Sequence, residues 1–191
     1  MKNTLKIIAI IISALLIICI SFFIIRYIRV KNIRDSIVIT DTIFDNTDFP
    51  AEINQDDTIG KLTIPSILLQ KAPVKEGVEL DILAEAIGHF PSTNILGGNI
   101  GLASHNGGDK SPYFKKLNKL KRGDDIYFES IYGTFKYTVE TITIIDETDF
   151  SYLQQTEDNR LTLITCVRNQ PEKKTLCTSN SKQIGWSPLK L

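Results

Sequence analysis

The sequence predicts a mainly β protein, built as a closed eight-stranded barrel with two short helices and preceded by a single N-terminal transmembrane helix. Three observations predict this fold. Residues 7–25 form an uncharged apolar run. From Thr58 onward, short segments rich in β-branched and apolar residues recur between turns that contain Gly, Pro, Asn or Asp. Only two stretches of that region space their apolar residues helically, so strands dominate the predicted domain.

The apolar run 7–25 has the length that a bilayer core requires, about 20 residues. Arg26 follows the run where a signal peptide would have a small-residue cleavage site, so an uncleaved anchor is the favoured interpretation. The predicted organisation is a short N-terminal tail (1–6), which is cytoplasmic if the globular domain lies outside the membrane, the anchor (7–25), a charged stalk (26–57) and a globular domain (58–191).

Orientation is not decided by charge. Two lysines precede the anchor and four basic residues follow it before Asp35. Read literally, the positive-inside rule places the globular domain in the cytoplasm.

Composition argues against several classes of function. The 22 basic and 22 acidic residues balance, so no strong field favours nucleic acid. Three cysteines and two histidines are too few for a disulfide framework or a structural zinc site. No glycine-rich phosphate loop lies between a strand and a helix, and we expect neither a cofactor nor a metal.

The first half of the globular domain opens with two predicted strands. Ile59–Ile67 alternates apolar and polar residues and is closed by Pro65, and Leu68–Val74 is a second strand. Val78–Ile87 spaces its apolar residues helically, and Gly88 suits its C-terminal cap.

The middle of the domain contains a strand, a helix and a hairpin. Ile100–His105 is predicted as a strand that ends on a histidine, and Ser111–Leu120 as a short helix. Asp125–Glu129 and Thr134–Ile145 are predicted to form a hairpin around a turn at Gly133.

The last part of the domain contains the segment on which the functional interpretation depends. Leu161–Cys166 is apolar and β-branched and predicts a buried strand that ends on a cysteine. It follows a polar loop, Phe150–Asn159, and the final strand is predicted to begin at Lys174–Thr178.

Cys166 and His105 each end a predicted strand, which holds both side chains on rigid elements. A nearby cation favours the thiolate, which is the attacking form of cysteine, and a histidine can protonate a leaving amine. A cation or backbone N–H must also stabilise the tetrahedral oxyanion. On spacing alone, a cysteine at a strand end is more often an ordinary core residue, and a lone histidine is more often structural.

The motifs around these two residues resemble those of the sortases, the membrane-anchored cysteine transpeptidases of Gram-positive bacteria. The segment TLITC, which ends at Cys166, resembles the TLxTC signature of that family. Other segments resemble family motifs in the same order along the chain: Gly60–Ile67, Gly88–Pro91, Leu102–Asn106, Phe114–Leu117 and Leu120–Ile126. The resemblance covers Thr58 to about Thr178.

The resemblance implies that the barrel is a sortase barrel, that Cys166 is the nucleophile, and that His105 is the acid/base. His89 competes for that second role, but the family pattern makes it a structural or rim residue. Sortases carry an arginine after the cysteine. Counted forward from Cys166 the matching position holds Lys174, and counted back from Cys177 it holds Thr175, so the favoured cation is Lys174, with Arg168 of the preceding loop as the alternative. Lysine provides a point charge and not a planar fork of donors.

The resemblance also implies a substrate and a location. The substrate is a secreted protein with an LPxTG-like sorting signal, and the groove floor should include Ala103, Ser104, Ile164 and Thr165. The accepting amine belongs to a peptidoglycan cross-bridge or a lipid-linked precursor, or to a pilin lysine in pilus-building members. The protein is expected to be single-pass in the cell membrane, with its catalytic domain extracytoplasmic.

Loop architecture favours wall anchoring over pilus assembly. The loop from Thr148 to Asn159, expected to wall the groove, is short. No lid motif is evident before the first strand, and Asp41–Asp57 is the segment that could lie over the site.

Two other classes of function remain open at this point. One is a sortase-fold module that binds sorting signals with weak or no turnover, because the family arginine is missing. The other is a membrane-tethered thiol oxidoreductase that uses Cys166 and Cys177, although the usual Cys-x-x-Cys on a helix is absent. Cys177 is otherwise expected to be a buried structural thiol.

Overall fold

A computed structural model describes residues 2–37, 58–108, 111–130 and 132–180 of the chain. The chain divides into two compact units, residues 1–37 and 38–191. Most of the predicted stalk, including Asp41–Asp57, lies outside the described residues.

The first unit is a continuous helix, α1 (Lys2–Asp35). By length and composition, its part from Lys6 to Asp35 is able to cross a membrane. The large apolar side chains between Ile7 and Ile25 are exposed, as on the surface of a lipid-embedded helix. The predicted apolar N-terminal helix is confirmed, and it continues past the predicted end at residue 25.

The second unit contains eight strands and one α-helix among the described residues. The strands are β1 (Thr58–Ile64), β2 (Leu69–Glu76), β3 (Ile87–His89), β4 (Asn99–Ala103), β5 (Asp125–Ser130), β6 (Gly133–Asp146), β7 (Arg160–Val167) and β8 (Gln170–Asn180). Helix α2 spans Leu80–Glu85, and short 3-10 turns lie at Pro65–Ile67, Leu117–Lys119 and Ser151–Leu153.

The eight strands close into a barrel in the order β1-β2-β3-β4-β7-β8-β6-β5, which confirms the predicted fold class. Closure leaves no unpaired sheet edge. Six of the eight pairings are antiparallel, and β2–β3 and β4–β7 are parallel. The β4–β7 pair brings together strands that lie far apart in sequence.

Large apolar side chains fill the barrel interior, and most of them are inaccessible to solvent. The core includes Leu62, Ile64, Ile100, Leu102, Phe114, Ile126, Phe128, Leu161 and Leu163. Burial of each such side chain contributes about 1.5–3 kcal/mol relative to exposure. Because alternate residues of a strand face opposite sides, this core fixes which residues of β4, β7 and β8 face outward.

Two predicted elements differ from the structure. The helix predicted over Val78–Ile87 ends at Glu85, because Ile87 pairs with Val74 and begins β3. The helix predicted over Ser111–Leu120 is a turn followed by the 3-10 turn at Leu117–Lys119. In both cases tertiary pairing or packing overrides a helical spacing of only a few residues.

Candidate active site

Cys166 lies one residue before the end of β7, and its thiol is exposed and not in a disulfide. The preceding residue, Thr165, is buried, and Leu163 faces the core. Strand alternation therefore directs Cys166 to the outer face of the barrel, where a substrate has access.

Lys174 lies directly opposite Cys166 in the β7–β8 register, and its Nζ lies 3.4 Å from Cys166 Sγ. The final strand was predicted to begin at Lys174, but β8 begins at Gln170. Lys174 therefore lies within a paired strand and not at its start, and its side chain is only 23% exposed. A second neighbour, Glu147 Oε2, lies 3.7 Å from the same ammonium.

Arg168, the alternative cation, lies in the two-residue turn between β7 and β8, and its side chain is exposed. The adjacent Asn169 has a positive φ of 61°, as tight turns between strands often require. Of the two candidate cations, it is Lys174 that hydrogen-bonds to the Cys166 sulfur.

His105 is half-buried and follows β4 by two residues. The residues on either side of it are tied to β7. Ser104 N donates to Ile164 O at 3.3 Å, and Asn106 Nδ2 donates to Cys166 O at 2.6 Å. These bonds hold His105 in the segment that runs beside Cys166.

Asn106 is a site residue that sequence reasoning did not identify as one. Its amide bridges the loop after β4 to the backbone of the candidate nucleophile. Its position next to His105 was the only signal, and an asparagine that begins a loop more often caps a turn.

The four predicted groove residues divide into two pairs. Ala103 and Ile164 are cross-strand partners, half-buried, and lie on the outer face with Cys166. Ser104 and Thr165 are buried, and Thr165 Oγ1 donates to Ser104 O at 2.6 Å. Ser104 and Thr165 thus join the two strand ends, and Ala103 and Ile164 remain the residues able to contact a ligand.

The loop between β6 and β7 packs over the outer face of β4. Asn99 Nδ2 donates to Tyr152 O at 2.7 Å and to Gln154 O at 2.9 Å. Gly101 lies directly beneath this loop, because a Cβ there would stand 2.7 Å from Leu153 Cδ2. These contacts fix the loop that was predicted to wall the groove.

His89 is enclosed within the domain and is 1% exposed. Its Nδ1 lies 2.8 Å from Glu76 Oε2, and its Nε2 lies 3.0 Å from Asn94 O and 3.1 Å from Thr93 Oγ1. Both ring nitrogens are thus engaged with neighbours in the fold, as a structural histidine requires.

Cys177 is fully buried and lies opposite Leu163, on the inner face of the barrel. Burial raises its pKa to about 12, and the Asp124 carboxylate adds to this shift. Cys166 and Cys177 face opposite sides of the sheet, and both are free thiols.

The arrangement is suited to nucleophilic chemistry on an acyl group. The Cys166 thiol is exposed to an acyl substrate, and the ammonium beside it is available to a developing oxyanion. Among the described residues, no three His, Cys, Asp or Glu side chains cluster as metal ligands.

Fold and site together define a β-barrel protein with a cysteine-centred candidate site on its outer face. A model of the sortase domain matches residues 62–179 of the chain. The chain belongs to the sortase family.

Individual relatives agree with this assignment. Sortase A of Listeria monocytogenes is 33% identical over 136 residues, which cover 71% of this chain and 59% of that protein. Sortase D of Bacillus subtilis is 30% identical over 145 residues, which cover 70% of this chain and 68% of that protein. The crystal structure of sortase C-1 from Actinomyces oris superposes with a TM-score of 0.65 and 29% identity, covering 70% of this chain and 78% of that one.

Proposed function

We propose that this protein is a membrane-anchored cysteine transpeptidase that cleaves an LPxTG-like sorting signal and joins the secreted protein to a cell-wall amine. The observation that carries the proposal is the 3.4 Å contact between Lys174 Nζ and Cys166 Sγ on the outer face of the barrel. Membership in the sortase family supports it.

In the first step, the Cys166 thiolate attacks the carbonyl carbon of the Thr–Gly bond. A C–S bond forms, and the carbonyl oxygen becomes an oxyanion that the Lys174 ammonium stabilises. The C–N bond then breaks, and protonated His105 gives its proton to the leaving amine. A thioester on Cys166 remains.

In the second step, an amine attacks the thioester carbonyl, and His105 accepts the proton that the amine releases. The C–S bond breaks, the thiolate returns, and a new amide joins the secreted protein to the acceptor. The two half-reactions balance without an external oxidant, reductant or metal.

The direct test is a thioester adduct. Full-length protein in detergent is incubated with a labelled sorting peptide and no acceptor, and the Cys166 peptide is examined by mass spectrometry. We expect an adduct in the wild type and none in Cys166→Ala or His105→Ala. Peptide binding without an adduct in the wild type would support a binding module instead, and full activity of Cys166→Ala would refute the nucleophile assignment.

The acceptor is proposed to be a cell-wall amine because the loop between β6 and β7 is short and contains a single 3-10 turn. Pilus assembly is the second candidate, and the structural similarity to sortase C-1 supports it. Competition between a cross-bridge peptide and a lysine-containing pilin peptide, each offered to the thioester, separates the two.

The catalytic domain is proposed to lie outside the membrane, because the sorting signal and the cell-wall amine are found there. Protease added to intact protoplasts should digest the domain, whereas complete protection would place it in the cytoplasm.

A disulfide-exchange function has weaker support. Cys177 is buried on the inner face, and its raised pKa keeps it protonated near neutral pH. A linked Cys166–Cys177 peptide, found after alkylation without reductant, would reopen that hypothesis.

A further inference from the structure

Glu147 lies directly after β6 and places a carboxylate next to the lysine of the candidate site. Its Oε2 lies 3.7 Å from Lys174 Nζ, and that Nζ lies 3.4 Å from Cys166 Sγ. The strand order β7-β8-β6 places Lys174 on the central strand of the three, between the thiol and the carboxylate. The Lys174 ammonium thus lies between the Cys166 thiol and the Glu147 carboxylate on the outer face of the barrel.

The backbone fixes where Glu147 stands. Its N–H donates to Glu172 O at 2.9 Å, which extends the β6–β8 ladder one residue past the Asp146–Lys173 pair. Ile145 lies opposite Lys174, so Glu147, two residues further on the same face, is a diagonal neighbour of Lys174. Long side chains interact across such diagonals in antiparallel sheets.

The neighbouring carboxylates have other partners. Asp146 pairs with Lys173, which alternation directs to the opposite face from Lys174. Asp149 accepts hydrogen bonds from both the N–H and the hydroxyl of Ser151, and these bonds lower its pKa. Glu147 is therefore the carboxylate of this segment that faces the candidate site.

A carboxylate next to a lysine at this position restricts a side chain that is otherwise flexible. Its ammonium is a point charge on a flexible four-carbon stem, whereas a guanidinium presents a rigid fork of five donors. The Glu147 side chain is 52% exposed and that of Lys174 is 23% exposed, so the pair lies at the rim of the site, where an ion pair restricts the stem without enclosing it.

We propose that Glu147 is a positioning residue that holds the Lys174 ammonium against the Cys166 thiol. The contribution of Glu147 to catalysis rests on the proposed function. The placement of the ammonium beside the thiol is testable without any sorting substrate.

The test is a double-mutant cycle on full-length protein in detergent. Alkylation of Cys166 by iodoacetamide is followed by mass spectrometry across a pH series in wild type, Glu147→Gln, Lys174→Met and the double variant. Glu147→Gln is expected to slow alkylation near neutral pH about two- to fivefold, the range of a partly exposed ion pair. In the Lys174→Met background the same change should not slow it, because no ammonium is left for Glu147 to position.

Asp146→Asn is the matched control, because it removes the adjacent carboxylate, whose partner lies on the other face. Its pH profile should coincide with that of the wild type. Equal slowing by Glu147→Gln in both backgrounds, no slowing in the wild-type background, or equal slowing by Asp146→Asn would each overturn the proposal.

The same variants are then assayed for thioester formation with the labelled peptide, where Glu147→Gln should again lose two- to fivefold only when Lys174 is present. If the wild-type protein itself forms no thioester, the proposed function fails. The alkylation cycle still decides whether Glu147 positions Lys174.

Discussion

Replacing Lys174 with methionine removes the ammonium beside the thiol and keeps the length of the side chain. At the observed Nζ–Sγ distance of 3.4 Å, two unit charges in water interact by about 1 kcal/mol. The aqueous value applies because Cys166 is exposed and Lys174 lies at the rim. An energy of this size corresponds to about a fivefold change in a rate or an equilibrium.

Two assays separate the two tasks assigned to the ammonium. Alkylation by iodoacetamide reports on the thiol and its immediate neighbour, so the loss of an interaction of about 1 kcal/mol in Lys174→Met should slow it about fivefold. Thioester formation from a sorting peptide also develops an oxyanion, and loss of a donor aimed at such a charge costs about 100-fold or more. The variant should therefore lose far more in acylation than in alkylation.

Arg168→Met provides the control, because Arg168 is exposed in the turn after β7 and should change neither rate by more than about twofold. The reasoning is refuted if Arg168→Met loses more acylation than Lys174→Met. Equal losses of Lys174→Met in the two assays would limit the lysine to stabilising the thiolate.

Three further predictions concern the fold around the site. Burial raises the pKa of Cys177 from 9.0 to about 12, so the unfolded state loses the thiol proton at a lower pH than the folded state. The free energy of unfolding should therefore fall between about pH 9 and about pH 12. Alkaline denaturation of Cys177→Ala should lack this fall. Gly101→Ala places a methyl group 2.7 Å from Leu153 Cδ2 and should destabilise the domain by about 1–3 kcal/mol in thermal unfolding, whereas Gly107→Ala, with no neighbour within 4 Å, should leave the melting temperature unchanged. Asn99→Ala removes the two bonds to the loop between β6 and β7 and should cost about 1–3 kcal/mol, with faster proteolysis within that loop.

The closed barrel was predictable because its strands are bounded by clear turn residues and its core positions alternate. The strand β3 was not, because three residues carry too little periodicity, and Ile87 belongs equally well to the preceding helical pattern. Only its pairing with β2, a contact between distant residues, decides the assignment. Helix α1 extends past the apolar segment 7–25, since charged residues end an apolar run but do not end a helix.

Cys166, His105 and Lys174 were proposed for the candidate site from motifs, whereas Glu147 and Asn106 were found only in the structure. The choice between Lys174 and Arg168 depends on where β8 begins, because a one-residue change of register moves a side chain to the opposite face. Glu147 and Asn106 approach the site from other parts of the chain, and their ordinary sequence contexts give no indication of it.

The connectivity of the site has a consequence for how the chain folds. Cys166 and Lys174 belong to one hairpin and are 8 residues apart, whereas the bond from Asn106 to Cys166 closes a separation of 60 residues. Local hairpins form early and rapidly, but long-range parallel pairing requires the entropic cost of closing a large loop first. We therefore expect a partly folded chain to bring its thiol and its lysine together before the longer-range contact from the His105 segment forms.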